Sequence, residues 1–273
     1  LTGNTQGKAC CFFVPTVLTQ NSGNRDDYKI VPNDQREWEI EGFQLLLEAL
    51  RQEIGPEKLL SLAVPGLQRD LIAFTDETVP RIERQVDFLN IMTYDLMNRR
   101  DTQVKHHSGV QDSRQSIQRY LDRGVPREKA NLGLGYYVKW FMTEECSQRQ
   151  LLSCPTQVLE DPVTGDDLGR TGAFSWHDTV PEELANSFSR AVNSPQYFDD
   201  GSVGFWDQSE QRWWSYDTDR VVRQKIAEII RPMGLGGVFA WGLGEDAPDF
   251  TRLRATIAGL QDTDSAKLAR DEL

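Results

Sequence analysis

Several residues in this chain are of types that do chemistry. Tyr94 and Asp95 close the apolar run Phe88–Thr93. A phenol that donates and a carboxylate that accepts can hold a polar ligand; the same two residues also make an ordinary strand end with a helix cap. Trp241 closes a second run, Gly236–Ala240. An indole there lines a cleft or fills a core. Trp213–Trp214 reads as one core and one exposed residue, the exposed one a candidate platform for a sugar face. His106–His107 are of metal-ligating type, but adjacent side chains diverge and no third ligand lies nearby in sequence, so they read as loop histidines. Gly236–Gly237 opens a strand and lacks the spacing of a phosphate loop. Glu37, Glu39, Glu41 and Glu48 read as the solvated face of a helix. Cys146 and Cys154 bracket a short loop and form a candidate disulfide, whereas the neighbours Cys10 and Cys11 rarely bridge each other. No Cys-x-x-Cys occurs, and neither zinc nor any cofactor is expected.

The elements that position these residues follow from hydrophobic spacing. Trp38, Phe43, Leu46, Leu47, Leu50 and Ile54 recur at helical period until Gly55–Pro56. Leu59–Val64 reads as a buried strand closed by Pro65–Gly66, and a weaker helix spans Val79 to Val86. Phe88–Tyr94 is a second strand. Ile117, Tyr120 and Leu121 mark a helix ending before Gly124, and Leu132–Tyr137 is a third strand. Residues 141–215 break the rhythm with Gly, Pro, Asp and aromatics and no long helix, and read as an inserted subdomain. Val221, Val222, Ile226, Ile229 and Ile230 then form a helical stripe, Gly236–Trp241 a fourth strand, and Phe250, Leu253, Ile257 and Leu260 a last helix before a polar tail, 261–273. Alternating buried strands and amphipathic helices imply a parallel sheet covered by helices.

Composition excludes some partners. The 273 residues carry 42 acidic against 30 basic side chains, a formal charge of -12. Phosphate backbones demand a basic face, so no nucleic-acid partner is expected. No apolar run approaches the roughly 20 residues that span a bilayer, so no membrane partner is expected. The chain opens on Leu1 with its first methionine at Met92 and shows no legible signal peptide, which reads as a processed or truncated product. Arg270-Asp271-Glu272-Leu273 differs from the Lys-Asp-Glu-Leu retrieval signal by one basic-for-basic change. That predicts a retrieval-receptor partner and a secretory-pathway location, endoplasmic-reticulum-retained or extracellular.

Five segments in order carry a resemblance. Met92-Thr93-Tyr94-Asp95 resembles the Met-x-Tyr-Asp motif on the sixth barrel strand of glycoside hydrolase family 18, the chitinases. Leu60–Gly66 is similar to that family's fifth strand, Gly133–Lys139 to its seventh and Gly236–Trp241 to its eighth. Ser215-Tyr216-Asp217 resembles the pair that closes the family's insertion. The likeness is closest to fungal chitinases. It implies an α/β fold, a partial (β/α)8 TIM barrel of strands five to eight with their helices, plus a small α+β-type insertion. The divisions are a leader at 1–23, the half barrel at 24–260 with its insertion at about 141–215, and the tail at 261–273. The resemblance also implies substrate-assisted, retaining hydrolysis of β-1,4-linked N-acetylglucosamine polymers. Tyr94 would donate to the attacking acetamido oxygen and Asp95 would hydrogen-bond the sugar. Met92 and Trp241 would shape the pocket, with Trp241 as its floor, and Tyr137 and Lys139 would lie near the cleft.

One departure is serious. The family's acid lies in Asp-x-x-Asp-x-Asp-x-Glu on the fourth strand, and that string does not occur in this sequence. Asn24–Lys29 resembles the loop directly after it, so residues 1–19 stand where the acid strand belongs, with Lys8 their only charge. The chain alone is therefore expected to be impaired in hydrolysis. A non-catalytic oligosaccharide-binding protein, an inactive fragment and an endo-β-N-acetylglucosaminidase acting on glycoproteins are the alternatives. A half barrel would leave unpaired edges near Leu60 and Val238, open to self-association.

Overall fold

A computed structural model describes residues 9–12, 31–147 and 150–271. The Asn24–Lys29 segment and the terminal Glu272–Leu273 lie outside the described residues.

Five strands form one parallel sheet. They are β1 (Ala9–Phe12), β2 (Leu59–Pro65), β3 (Phe88–Met92), β4 (Ala130–Gly135) and β10 (Gly237–Trp241), in that spatial order. Leu60, Leu62, Val64, Leu89, Ile91, Leu132 and Leu134 are all buried. Strands covered on both faces need such continuous apolar runs, which is why the runs were legible in sequence. Helices α1 (Trp38–Ile54), α2 (Val79–Gln85), α3 (Val110–Asp122), α5 (Asp219–Lys225) and α6 (Thr251–Asp271) accompany the sheet. After Lys225 the chain stays helical through a π-helical stretch, Ile226–Ile230, and a last turn, Arg231–Met233. Gly234 ends that helix at φ 66°, where only glycine sits without strain. The architecture is α/β, parallel sheet with helices, and the described strands do not close into a barrel.

Four expectations change. The edge near Leu60 is not free: β1 pairs with β2 in parallel register, from Ala9 opposite Leu59 to Phe12 opposite Leu62. A short apolar segment satisfies the backbone groups that β2 would otherwise leave open. Trp38 and Leu46, assigned to the buried stripe of α1, are exposed, at 72% and 46%. Phe43 and Leu47 are buried in the core, and Ile40, Leu50 and Ile54 pack half-buried against it. The polar tail is helical through Asp271 as part of α6. The insertion also contains a long helix, α4 (Glu182–Asn193), with Leu184, Ser187 and Ala191 buried.

That insertion is a second sheet, antiparallel, ordered β6 (Thr171–Ser175), β5 (Tyr137–Met142), β9 (Arg212–Ser215), β8 (Val203–Asp207) and β7 (Gln196–Tyr197). It begins at Tyr137 rather than at 141, so the run read as one strand, Leu132–Tyr137, is divided between two sheets at Tyr136. Trp206, Trp213 and Phe141 pack with Met97, Val104, Leu151 and Leu159 into a core of its own. Cys146 and Cys154 are joined by a disulfide with Cα atoms 5.7 Å apart.

Candidate active site

The strand ends of the parallel sheet and the start of the inserted sheet meet at one place. Tyr94 follows β3, and the Thr93 hydroxyl fixes that strand end by donating to the Gly133 carbonyl at 2.6 Å. The Tyr94 ring lies 6.2 Å from the Tyr137 ring and 6.0 Å from Phe239, both edge-on. Gly135 makes the approach possible. A Cβ there would stand 3.0 Å from the Tyr137 ring and 3.1 Å from the Tyr94 Cβ. The Tyr94 ring is 7% exposed, and among the described residues no group pairs with its hydroxyl. Burial, with Asp95 and Glu245 nearby, pushes the phenol well above its usual value, so it stays a proton-bearing donor.

Asp95 has φ 55°, in the left-handed region that non-glycine residues rarely take. That conformation accompanies a carboxylate received by two donors. The Tyr137 hydroxyl and the Lys139 ammonium each donate to Oδ1 at 2.8 Å. Burial raises the Asp95 carboxyl, but the Lys139 ammonium and the hydrogen bonds from Lys139 and Tyr137 outweigh it and hold the group below the usual aspartate value. Asp95 is thus an ionised acceptor whose orientation is set by β5. Tyr137 and Lys139 are themselves buried.

Trp241 ends β10 with its carbonyl accepting the Tyr136 N–H at 2.8 Å. Its indole is 47% exposed. Met92 is half-buried at the end of β3, opposite Pro65 of β2. The structure therefore brings Met92, Tyr94, Asp95, Tyr137, Lys139 and Trp241 to the carboxyl-end rim of β3, β4 and β10. In sheets of this kind that rim is where ligands bind.

Other sequence readings end elsewhere. Trp213 and Trp214 are both fully buried, so neither offers a platform. Trp213 Nε1–H donates to the Lys105 carbonyl, and Trp214 Nε1–H to the Ser187 hydroxyl, which satisfies both indoles inside the protein. His106 and His107 are buried rather than solvated. His106 packs against Phe198 and Trp213, and burial pushes its pKa down to about 4. His107 lies under the site with its ring 5.1 Å from Tyr137. Burial first, then Lys139, keeps it neutral. Of the helix acids, Glu37, Glu41 and Glu48 are exposed, and Glu41 and Glu48 share Arg81.

Sequence reasoning missed Glu245. It sits in the short turn Leu243–Glu245 after β10. Burial, Asp95 and Asp178 raise its pKa above the usual glutamate value. The only sequence signal was its place four residues after a strand-end tryptophan. His107 and the buried Asp217–Lys225 pair were missed as parts of one support. Ser108 joins them, donating to Asp217 at 3.0 Å and lying 3.3 Å from the His107 ring nitrogen.

Residues 22–246, well over half of the chain, match the profile of glycosyl hydrolases family 18. "Putative chitinase 1" of Margaritifera margaritifera is 24% identical over 220 residues, covering 76% of this chain and 43% of that protein. "Chitinase A1" of Niallia circulans is 27% identical over 242 residues, covering 78% of this chain and 32% of that protein. This chain thus spans less than half the length of either relative. The crystal structure of an Ostrinia furnacalis Group IV chitinase in complex with allosamidin superposes with a TM-score of 0.64 at 21% identity, covering 82% of this chain and 63% of that one. That likeness speaks to the fold.

Proposed function

This chain belongs to glycosyl hydrolases family 18, and on that premise we propose that its strand-end site holds an N-acetylglucosamine unit of a chitin-type polymer. The observation that carries the reading is the free Tyr94 hydroxyl, set between the anchored Asp95 carboxylate and the exposed Trp241 face. In a substrate-assisted cleavage the sugar's own acetamido oxygen attacks the anomeric carbon while a carboxylic acid protonates the departing oxygen. Tyr94, held protonated, donates to that acetamido oxygen. Asp95, held ionised by Lys139 and Tyr137, accepts from the sugar. The Trp241 indole takes the apolar C–H face of the ring.

The acid step has no donor in the family's Asp-x-x-Asp-x-Asp-x-Glu string, which this sequence lacks. The strand beside β2 reads Ala9-Cys10-Cys11-Phe12, without a carboxylate. General-acid catalysis contributes about 10²–10⁴-fold. In this chain alone, sugar binding therefore outlasts turnover, and a lectin-like role is the second reading. The Cys146–Cys154 bridge supports residence in an oxidising compartment of the secretory pathway.

Calorimetric titration with N-acetylglucosamine oligomers tests the proposal. Saturable binding that weakens in Tyr94→Phe and Trp241→Ala is expected. The absence of any saturable signal at millimolar oligomer overturns it.

A further inference from the structure

His107 has more attachments beneath the site than a filler of the core needs. It lies in the connection between β3 and α3, and its backbone is clamped at both polar groups. Its N–H donates to the Ser215 hydroxyl at 2.9 Å, and its carbonyl accepts the Leu96 N–H at 2.8 Å. Its ring is fully buried and lies 5.1 Å from the Tyr137 ring, tilted by 40°. The Tyr94 ring packs on Tyr137 as well, edge-on at 6.2 Å. Gly135 leaves the room for this contact: a Cβ there would stand 3.0 Å from the Tyr137 ring and 3.4 Å from His107 Cε1. Tyr137, packed in this way, places its hydroxyl on Asp95 Oδ1 at 2.8 Å.

A chain of buried polar groups fixes the His107 ring. Lys225 pairs with one oxygen of Asp217, and the other oxygen accepts from the Ser108 hydroxyl at 3.0 Å. A carboxylate only accepts, so the single Ser108 hydroxyl hydrogen is spent on Asp217. The Ser108 oxygen, 3.3 Å from His107 Nε2, is left with lone pairs, so Nε2 carries the hydrogen and donates. The neutral ring then has a bare Nδ1, which is buried and has no partner among the described residues. A buried nitrogen without a partner is a cost that an apolar ring of similar size avoids. What the histidine adds over such a ring is the Nε2–H bond, which sets the plane of the imidazole.

We propose that His107 is a positioning residue of the sugar site: the Lys225–Asp217–Ser108 chain locks its ring as the wall against which Tyr137 is set, and Tyr137 in turn aims the Asp95 carboxylate. This rests on the reading of Asp95 as an acceptor from the sugar. The chain runs from the end of α5 through the segment after β9 to the loop before α3, so segments remote in sequence meet the site through one imidazole. A site that binds with its acceptor already aimed loses less affinity to ordering.

The test compares Ser108→Ala, which removes the oxygen that receives Nε2–H and leaves the His107 ring, with His107→Ala, which removes the ring itself. In the parent chain the His107 ring 15N resonances are expected to show a hydrogen on Nε2 and none on Nδ1 near neutral pH. A hydrogen on Nδ1 overturns the proposal. The Asp95 carboxyl carbon is expected to titrate at higher pH in both variants than in the parent, because a slackened Tyr137 hydrogen bond favours the charged form less. Calorimetry with N-acetylglucosamine tetramer is expected to show binding weakened about threefold to tenfold in Ser108→Ala and about tenfold or more in His107→Ala. Ser108→Ala carries the test by itself if His107→Ala does not fold. An Asp95 titration unchanged in Ser108→Ala overturns the proposal, and so does an unchanged tetramer affinity. A parent chain that binds no tetramer overturns the sugar reading, and the Asp95 titration then decides whether His107 positions the carboxylate.

Discussion

The parallel sheet and the inserted antiparallel sheet solve the same burial problem differently. In the parallel sheet each strand is followed by its own covering helix, and the succession stops at β1 on one side and β10 on the other. Large apolar side chains stay exposed in this region, among them Trp38, Leu45 and Leu46 of α1 and Leu243, Phe250 and Ile257 after β10. The inserted sheet buries apolar groups on both sides, Phe141, Trp206 and Trp213 in a second cluster and Trp214 with Leu184 and Ala191 of α4 in the main core, and it carries a disulfide. The site takes Tyr94, Asp95 and Trp241 from the first region, and Tyr137 and Lys139, which fix Asp95, from the second. The parallel sheet thus presents the groups, and the inserted sheet anchors one of them, Asp95.

The contrast breaks most visibly at Trp213. Its side chain is fully buried in the inserted core, and Trp213→Ala is expected to cost about 3–5 kcal/mol in urea unfolding. Because β9 pairs with β5 opposite Lys139, the same variant should lose the Asp95 anchor and with it oligosaccharide binding. Binding that survives intact would show that the inserted sheet does not hold the site.

A smaller effect comes from pH. His106 and His107 lie where the two regions meet and are kept neutral by burial. Their folded pKa values lie below the unfolded value of about 6.5, so the unfolded chain binds more protons as pH falls below that value. Their stabilising contribution is complete above about pH 6.5. Below it, stability should fall by about 1.4 kcal/mol per pH unit for each histidine, and for His106 the fall should end near about 4. Denaturation midpoints at several pH values measure the slope, and His106→Asn should lower it by one histidine's share.

The smallest effect belongs to the open side. Trp38 is 72% exposed, so Trp38→Ser is expected to move stability by less than about 0.5 kcal/mol. A large loss in the same urea assay would mean that this face is covered in solution.

Strands β2, β3 and β4 were legible because burial on both faces leaves unbroken apolar runs such as Leu59–Val64 and Leu132–Leu134, whereas β1 was not read as a strand and its place beside β2 came only from the structure. Helix ends were legible at Gly55 and Gly234, where the backbone takes positive φ. The break at Tyr136 was not, since Leu132–Tyr137 is equally apolar on both sides of the point where the chain changes sheets. Helix α4 was hidden because serines and asparagines dilute its stripe: Ser187 is fully buried and spends its hydroxyl on Asp207 and on the Trp214 indole. The fate of Trp213 and Trp214 depended on partners for their indole N–H groups at Lys105 and Ser187, far away in sequence.

By itself the sequence determined the βα succession, the residue types at the strand ends and the family, because local periodicity and short motifs are properties of neighbouring residues. Only the tertiary structure decided that Lys139 and Tyr137 converge on Asp95, that the Leu60 edge is occupied and that two histidines are buried neutral. Each of these depends on through-space distance between segments that are remote along the chain, and hydrogen bonds and charges act over ångströms of space, whatever the number of residues in between.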